Sequence, residues 1–355
     1  MRAVASALLA WYDAGHRDLP WRHTRDPYCI WLSEMLLQQT QVATAIPYYL
    51  RLLERYPTVA ALASADLDEL LSLWQGLGYY ARARHLLRAA QLIVTQHGGQ
   101  VPDSRKALLA LPGIGDYTAG AILSIAYSQA EPAVDGNVRR VLARLYDLEL
   151  DADSPAARRW FADVSASMLH TERAGDHNQA IMEFGATLCA PRNPTCSSCP
   201  LASLCLAFAR GTVLERPVRA PRRAAPTHEL VAAHCEQDGR LLLVRRSPAG
   251  LLGGLWELPN WAVPAEAAPA VALAAALRAH VDTPLVGEEL TLVRHAYSHF
   301  AVRVHVFRCT IPAFALSNTW DALHWLARSE LECYGLTGVT LKAIRQGPWL
   351  EQRLL

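Results

Sequence analysis

The sequence contains almost no lysine and no excess of either charge. Among its 34 basic residues only Lys106 and Lys342 are lysines, and the formal net charge of the 355-residue chain is +1. A net charge this small excludes a general polyanion-binding surface, so any contact with nucleic acid must come from a local group of arginines. The sequence offers two such groups, Arg82–Arg84–Arg88 and the run from Arg210 to Arg223.

A long uncharged apolar run is also missing, since none reaches the roughly 18 residues of a bilayer-spanning helix. The apolar stretch after Arg2 continues into Trp11, Tyr12 and Asp13 with helical spacing. We interpret it as a first amphipathic helix and not as a signal peptide, and we therefore expect a cytoplasmic protein with no membrane association. Hydrophobic residues make up 52% of the sequence, which is enough for two cores and excludes a disordered chain.

The eight cysteines are distributed in a way that argues against a disulfide framework. Four of them fall within residues 189–205 with the spacing C-x6-C-x2-C-x5-C, and the other four are scattered. A packed quartet in a chain that is not secreted predicts a metal site. Thiolates suit either zinc or an iron–sulfur cluster, and the spacing alone does not choose between them. Four reduced thiols without metal are the remaining alternative. The quartet consists of Cys189, Cys196, Cys199 and Cys205.

The periodicity of the sequence changes once along the chain. Residues 1–208 show helical patterns separated by glycine and proline, including one long pattern from Trp31 to Tyr49. Residues 209–227 have no periodicity and mix proline with arginine, which indicates an extended linker. Residues 228–355 combine strand-like runs, a hairpin turn at Asp238–Gly239, and helical patterns over Ala265–His280 and Thr337–Gln346. We predict an α+β multidomain protein with an all-α domain followed by a small α/β domain.

One motif predicts a helix–hairpin–helix. Leu111-Pro-Gly-Ile-Gly115 precedes Asp116 and Tyr117, which begin a helical pattern. Gly113 and Gly115 allow close approach of the backbone to a ligand, and the following helix presents unpaired N–H groups to a DNA phosphate. As a bare pattern the same residues also describe an ordinary tight turn between two helices.

Two carboxylates are candidate catalytic groups. Glu34 lies in a strongly apolar helical pattern, where a carboxylate is costly unless it is paired or has to carry a proton. Asp135 lies in Val134-Asp-Gly-Asn-Val138 at the start of another helix. The alternatives are an exposed or ion-paired helix glutamate for Glu34 and a helix cap for Asp135.

Together these motifs resemble the endonuclease III superfamily, and within it the MutY-type adenine-DNA glycosylases. The matching segments run in the family's order and cover almost the whole chain; they are WLSEMLLQQTQVATAIPYY, GLGYYARAR, LPGIGDYTAGAI, VDGNVRRVLAR and the cysteine quartet. The resemblance implies base excision repair, with hydrolysis of the N-glycosidic bond of adenine opposite 8-oxoguanine or guanine in double-stranded DNA. It also implies a 4Fe–4S cluster on the quartet and a monomeric protein.

The resemblance further assigns roles to single residues. Glu34 would protonate the extruded adenine, and Asp135 would stabilise or capture the oxocarbenium-like sugar. Tyr117 occupies the position at which bifunctional relatives carry a lysine nucleophile, so the enzyme is expected to be monofunctional, because a phenol cannot form an imine. The residues assigned by resemblance to the base pocket, the extruded base and the opposite lesion are Trp21, Arg22, Leu37, Gln39, Thr40, Tyr79, Tyr117, Asn137 and Gln179.

The second domain resembles the MutT/Nudix fold through Gly253-Gly-Leu-Trp-Glu-Leu-Pro259. The glutamate-rich Nudix helix is absent, because residues 260–282 contain only Glu266 and Asp282 as acidic residues. The domain is therefore expected to recognise 8-oxoguanine through Ser298 and His299 without hydrolysing a nucleotide. Tyr297 stands where the family usually has phenylalanine.

Three other functions compete with this interpretation. A thymine-glycol or mismatched-thymine glycosylase of the same superfamily is disfavoured by the second domain and by Gln38–Gln39. A non-catalytic DNA-damage binder would leave Glu34 or Asp135 without a role. A nucleotide pyrophosphatase is excluded by the missing Nudix helix.

Overall fold

The computed structural model describes residues 1–220, 225–248, 250–316, 319–347 and 349. Residues 221–224 of the predicted linker, which include Arg222 and Arg223, lie outside the described residues, as does the end of the predicted second domain. The chain divides into two compact units. One contains Met1–Ser64 and His85–Arg222, and the other contains Ala65–Arg84 and Arg223–Leu355. The sequence pattern alone does not indicate that Ala65–Arg84 groups with the second unit.

The first part of the chain is helical, as predicted. Its helices are α1 (Arg2–Ala14), α2 (Pro27–Leu37), α3 (Val42–Arg55), α4 (Val59–Ala63), α5 (Leu67–Leu73), α6 (Ala81–His97), α7 (Arg105–Leu109), α8 (Asp116–Ile125), α9 (Gly136–Leu145), α10 (Pro155–Met168), α11 (Ala174–Thr187) and α12 (Leu206–Arg210). No described helix is both long and apolar enough to cross a membrane.

The single helical pattern expected from Trp31 to Tyr49 is wrong. The structure ends α2 at Leu37 and begins α3 at Val42, because Gln38 leaves the helical conformation and Gln39 adopts a left-handed φ of 57°. A positive φ is uncommon for a residue with a side chain, so surrounding contacts must hold this turn. The Gln38 side chain supplies one of them, since its Nε2 donates to the Gly113 carbonyl at 3.2 Å.

Glycines in the first unit bring α11 close to α9, and α8 close to the segment that precedes α9. A Cβ on Gly185 would lie 2.7 Å from Asn137 Cβ, and one on Gly120 would lie 2.2 Å from the Pro132 carbonyl oxygen. Asn178 fixes the same segment, because its side chain accepts from Ala133 N at 3.2 Å and donates to the Glu131 carbonyl at 2.8 Å. These contacts set the position at which Asp135 begins α9.

The second unit contains a mixed sheet, as predicted. Within the described residues it has seven strands, β1 (Thr227–Gln237), β2 (Arg240–Arg246), β3 (Trp256–Glu257), β4 (Asn260–Ala262), β5 (Leu285–Ala296), β6 (Ala301–Thr310) and β7 (Trp320–Leu326). Their order is β3-β2-β1-β6-β5, with β4 paired to β1 and β7 paired to β2. The strands β1 and β6 run parallel, and the other strand pairs are antiparallel.

The predicted hairpin and helices of this unit are present. Asp238 and Gly239 have φ values of 51° and 73°, which is the backbone of the tight turn that suits two antiparallel strands. The helices α13 (Pro269–Leu277) and α14 (Gly338–Gln346) contribute to two separate apolar cores. An α/β layer arrangement follows, and the predicted fold class is confirmed.

Candidate active site

A cleft of about 860 Å³ opens in the first unit. Its volume lies near the upper end of the roughly 300–1,000 Å³ found for small-molecule sites. Most of the residues assigned above to catalysis, to the base pocket, to the extruded base and to the DNA backbone line this cleft together. They are Trp21, Arg22, Glu34, Leu37, Gln39, Thr40, Gly115, Tyr117, Asp135, Asn137 and Gln179.

Glu34 is buried in this cleft, with 4% of its surface exposed. Its Oε2 accepts a hydrogen bond from the Tyr117 hydroxyl at 2.6 Å. Burial raises the pKa of Glu34 to about 7, the Tyr117 hydrogen bond opposes this rise, and the nearby Asp135 charge adds to it. A carboxyl group with a pKa near neutrality can donate a proton at physiological pH, which is the requirement for a general acid.

Asp135 lies on another wall of the cleft as the N-cap of α9. Its Oδ1 accepts from Val138 N and its Oδ2 accepts from Asn137 Nδ2, both at 2.7 Å. Burial raises the pKa of Asp135, while these hydrogen bonds hold it down. The cap alternative and the catalytic role are therefore compatible, because one carboxylate can cap the helix and still face the cleft.

Tyr117 connects the hairpin to the candidate acid. Besides donating to Glu34, its hydroxyl lies 3.3 Å from the Met182 sulfur, and burial raises its pKa well above the usual value. A phenol in this state remains protonated. The position that a lysine occupies in bifunctional relatives is thus filled by a neutral hydrogen-bond donor.

The hairpin glycines have different roles. Gly113 has a φ of 80°, and a Cβ there would lie 2.8 Å from the Met35 terminal methyl carbon. Gly115 meets no atom within 4 Å of a built Cβ and caps the N-terminus of α8. Gly113 therefore serves packing, whereas Gly115 leaves open space in front of a helix N-terminus, where a phosphate can approach.

The cleft also contains residues that were not identified from the sequence, among them Arg17, Met182 and Glu183. Glu183 is 2% exposed and accepts hydrogen bonds from the Arg17 guanidinium at 2.6 and 2.7 Å, from Arg17 N at 3.3 Å and from Arg22 Nη2 at 3.0 Å. These guanidinium groups hold the pKa of Glu183 below its usual value even though burial raises it. Met182 and Glu183 follow Gln179 by three and four positions on α11, so helical periodicity was the signal that could have found them.

Trp21 and Arg22 belong to the short helical turn Pro20–Arg22. The Trp21 ring is buried and packs edge-on against Tyr49 at a centroid distance of 5.4 Å. Trp21 therefore packs in the core and also lines the cleft. Gln39 is exposed at the left-handed turn after α2, and Thr40 follows it at the cleft.

The residues assigned to recognition of the opposite lesion, Tyr79, Ser298 and His299, lie in the second unit. The Tyr79 hydroxyl and Ser298 Oγ are 2.6 Å apart, although 219 positions separate them in sequence. Tyr79 has a left-handed φ of 50° and 44% of its surface exposed. Ser298 and His299 are exposed, whereas Tyr297 packs against His295 and Phe300 at centroid distances of 4.6 and 4.8 Å.

The four clustered cysteines line one apolar cavity in the first unit. Within the residues described, no three His, Cys, Asp or Glu side chains converge closely enough to hold a single metal ion. Four thiols lining one cavity suit a thiolate-bound metal centre, either zinc or an iron–sulfur cluster. Two N–H donors approach the sulfurs, Arg144 Nη1 to Cys189 at 3.3 Å and Leu201 N to Cys199 at 3.4 Å. Such donors suit a negatively charged thiolate centre.

Comparison with known proteins gives consistent matches for both units. The family model described as HhH-GPD superfamily base excision DNA repair protein matches residues 32–162, and the NUDIX domain model matches residues 230–346. An adenine DNA glycosylase of Mus musculus is 36% identical over 398 aligned positions, covering 96% of this chain and 77% of that protein.

Two solved structures resemble the helical part. A thermostable thymine-DNA glycosylase is 30% identical, with a TM-score of 0.54, and the match covers 58% of this chain and 95% of that one. Endonuclease III in a non-covalent complex with DNA is 26% identical, with a TM-score of 0.52, covering 59% and 95% of the two chains.

Proposed function

This chain belongs to the family of adenine DNA glycosylases of base excision repair, and from that premise we propose that it hydrolyses the N-glycosidic bond of adenine mispaired with 8-oxoguanine or guanine. The observation that carries the proposal is the meeting of Glu34 and Asp135 in one cleft, with the pKa of Glu34 raised to about 7. The substrate is double-stranded DNA, from which the adenine must be flipped, because its glycosidic bond cannot be reached inside a duplex.

The two carboxyl groups have different roles in the reaction. Glu34 gives its proton to the adenine ring as the C1′–N bond breaks, so that the base leaves neutral. Asp135 remains ionised and stabilises the positive charge that develops on the sugar, or captures it covalently before water attacks. Tyr117 orients Glu34 through their hydrogen bond.

The second candidate function is removal of mismatched thymine, which the likeness to a thymine-DNA glycosylase favours. That match covers 58% of this chain, whereas the mouse adenine glycosylase match covers 96% and includes the second unit. Adenine therefore remains the preferred base.

The four clustered cysteines are proposed to hold a 4Fe–4S cluster. When bound, the cluster would cross-link residues 189–205 through four thiolates and stabilise this part of the first unit. We further propose that the enzyme is monomeric and cytoplasmic.

The enzyme is proposed to be monofunctional. We expect borohydride to trap little or no covalent enzyme–DNA adduct, because Tyr117 offers no amine to C1′ and its hydroxyl is held on Glu34. Tyr117→Lys should increase trapping, and Tyr127→Lys, which places an amine elsewhere in the same unit, serves as the matched control. Gel electrophoresis of the trapped adduct measures both. Abundant trapping by the unmodified protein would show that another amine reaches the sugar.

Recognition of 8-oxoguanine is proposed to involve the second unit, through Ser298 and His299, with Tyr79 beside them. Support comes from the 2.6 Å contact between the Tyr79 hydroxyl and Ser298 Oγ, two exposed residues that lie 219 positions apart in sequence. A tyrosine ring can stack on a base, while the serine and histidine side chains can hydrogen-bond to its edge.

The double variant Ser298→Ala/His299→Ala should lose discrimination between lesions. We expect the ratio of single-turnover excision rates, adenine opposite 8-oxoguanine over adenine opposite guanine, to fall about ten- to a hundredfold, the effect of one or two lost polar contacts. Thr310→Ala, an exposed polar residue at the end of β6, is the control. A duplex with thymine opposite guanine should release no base. An unchanged ratio would place recognition elsewhere, and release of thymine would contradict the proposed substrate.

A further inference from the structure

The segment after α12 is fixed to the first unit even though its sequence has no periodicity. Asp147 is its anchor. This buried carboxylate binds Arg216 Nε at 2.8 Å, Arg210 Nη1 at 3.0 Å and the Thr212 hydroxyl at 2.6 Å. Arg216 itself is 7% exposed. Over residues 210–216 the predicted extended linker is therefore bound to the first unit.

Backbone contacts continue the attachment toward the cleft. Arg144 Nε donates to the Val213 carbonyl at 2.9 Å, and Ala152 N donates to the Val218 carbonyl at 2.9 Å. These contacts hold the chain against the first unit as far as Val218, the residue immediately before Arg219. The position of the Arg219 backbone is consequently defined by the fold of the first unit.

Arg219 lines the same cleft as Glu34 and Asp135. Its side chain is exposed, and within the described part of the chain neither Arg219 nor Arg139, which also lines the cleft, forms an ion pair with a carboxylate. Glu183 cannot neutralise them, because it is already bound by Arg17 and Arg22. Arg219 and Arg139 therefore bring positive charge to the cleft that no carboxylate of the described residues pairs with.

Arg140, another arginine that lines this cleft, differs from Arg219 in its contacts. Its guanidinium donates to Asn137 Oδ1 at 2.9 Å and to the carbonyls of Gly185 and Cys189 at 2.6 and 2.9 Å. All of these partners belong to the protein, so Arg140 has a structural role. Arg219 also lines the cleft, but within the described residues its side chain forms no hydrogen bond or ion pair with the protein.

We propose that Arg219 binds a phosphodiester of the substrate DNA next to the nucleotide that is flipped into the cleft. A guanidinium forms two parallel hydrogen bonds with phosphate oxygens, and this pairing supplies both charge and orientation. Arg219 thus acts as a binding and positioning residue, with no part in proton transfer. The inference rests on the proposed function, since it requires that DNA delivers a nucleotide to this cleft.

The test measures binding to a duplex with an uncleavable 2′-fluoroadenosine opposite 8-oxoguanine. Arg219→Ala should bind about tenfold more weakly, Arg219→Lys should be intermediate, and the logarithmic salt slope should decrease by about 0.9. Arg159→Ala, which removes an exposed arginine on α10 outside the cleft, should leave affinity and slope unchanged. Asp147→Asn, which weakens the anchor, should reproduce part of the loss.

Neutral methylphosphonate linkages locate the contact. They are introduced one at a time at the phosphates within three positions of the 2′-fluoroadenosine. At one of these positions the tenfold difference between the unmodified protein and Arg219→Ala should disappear, because the charge that Arg219 binds is gone. A difference that persists at every position, or that is equally large on fully paired DNA, would overturn the proposal. Failure of the proposed function would instead appear as an absence of adenine release by the unmodified protein.

Discussion

Glu34→Gln is expected to reduce single-turnover adenine excision by roughly 10²–10⁴-fold, the usual contribution of a general acid. Glutamine has nearly the same size and can still accept a hydrogen bond from Tyr117, but it has no acidic proton to give. The cleft should therefore keep its shape and its affinity for DNA. The expected signature is a large loss of rate with a dissociation constant close to that of the unmodified protein on the 2′-fluoroadenosine duplex.

The same substitution separates catalysis from stability. An ionised carboxylate at this buried position is costly, so Glu34→Gln should not lower the melting temperature at neutral pH. A variant that excises adenine at a near-native rate would show that Glu34 is a structural residue. A variant that loses DNA affinity as strongly as rate would show that its role is in binding.

Asp135→Asn should be the second most damaging change, with a loss of about 10²–10³-fold in excision rate, as found when one group that stabilises developing charge is removed. Asparagine can still cap α9 by accepting from Val138 N, so the helix should remain intact. The negative charge that faces the sugar is what disappears. Single-turnover rates on adenine opposite 8-oxoguanine measure the effect.

Asp66→Asn is the matched control, because Asp66 caps α5 by accepting from Glu69 N at 3.1 Å and does not line the cleft. It should leave the excision rate unchanged. If Asp135→Asn and Asp66→Asn gave equally small effects, Asp135 would be a helix cap only.

Much of the fold could be predicted from local patterns. The helical part, the turn at Asp238–Gly239 and the helix α14, which Thr337 caps, depend on residues close in sequence, and the structure confirms them. The break between α2 and α3 could not be predicted, because a contact from Gln38 to distant Gly113 favours the turn over an apolar pattern suited to a continuous helix.

In the candidate site, too, some residues could be predicted from the local sequence and others depend on distant contacts. Glu34 and Asp135 stood out because a carboxylate in an apolar helix and an aspartate at a helix start are visible in sequence. Glu183 did not stand out, because its role depends on hydrogen bonds from Arg17 and Arg22, which lie more than 160 positions away in sequence. The attachment of the segment before Arg219 was hidden for a similar reason, since its anchor Asp147 lies on the far side of the cysteine quartet in sequence.

The central claim is that Glu34 protonates the adenine while Asp135 stays ionised, and the pH dependence of the single-turnover rate tests it most directly. The rate should fall at acid pH as Asp135 is protonated, and it should fall again above about pH 7 as Glu34 loses its proton. Tyr117→Phe removes a hydrogen bond that stabilises the Glu34 carboxylate, so the pKa of Glu34 should rise and the alkaline limb should move to higher pH. An alkaline limb that is absent, or that stays in place in Tyr117→Phe, would contradict the assignment of Glu34 as the acid.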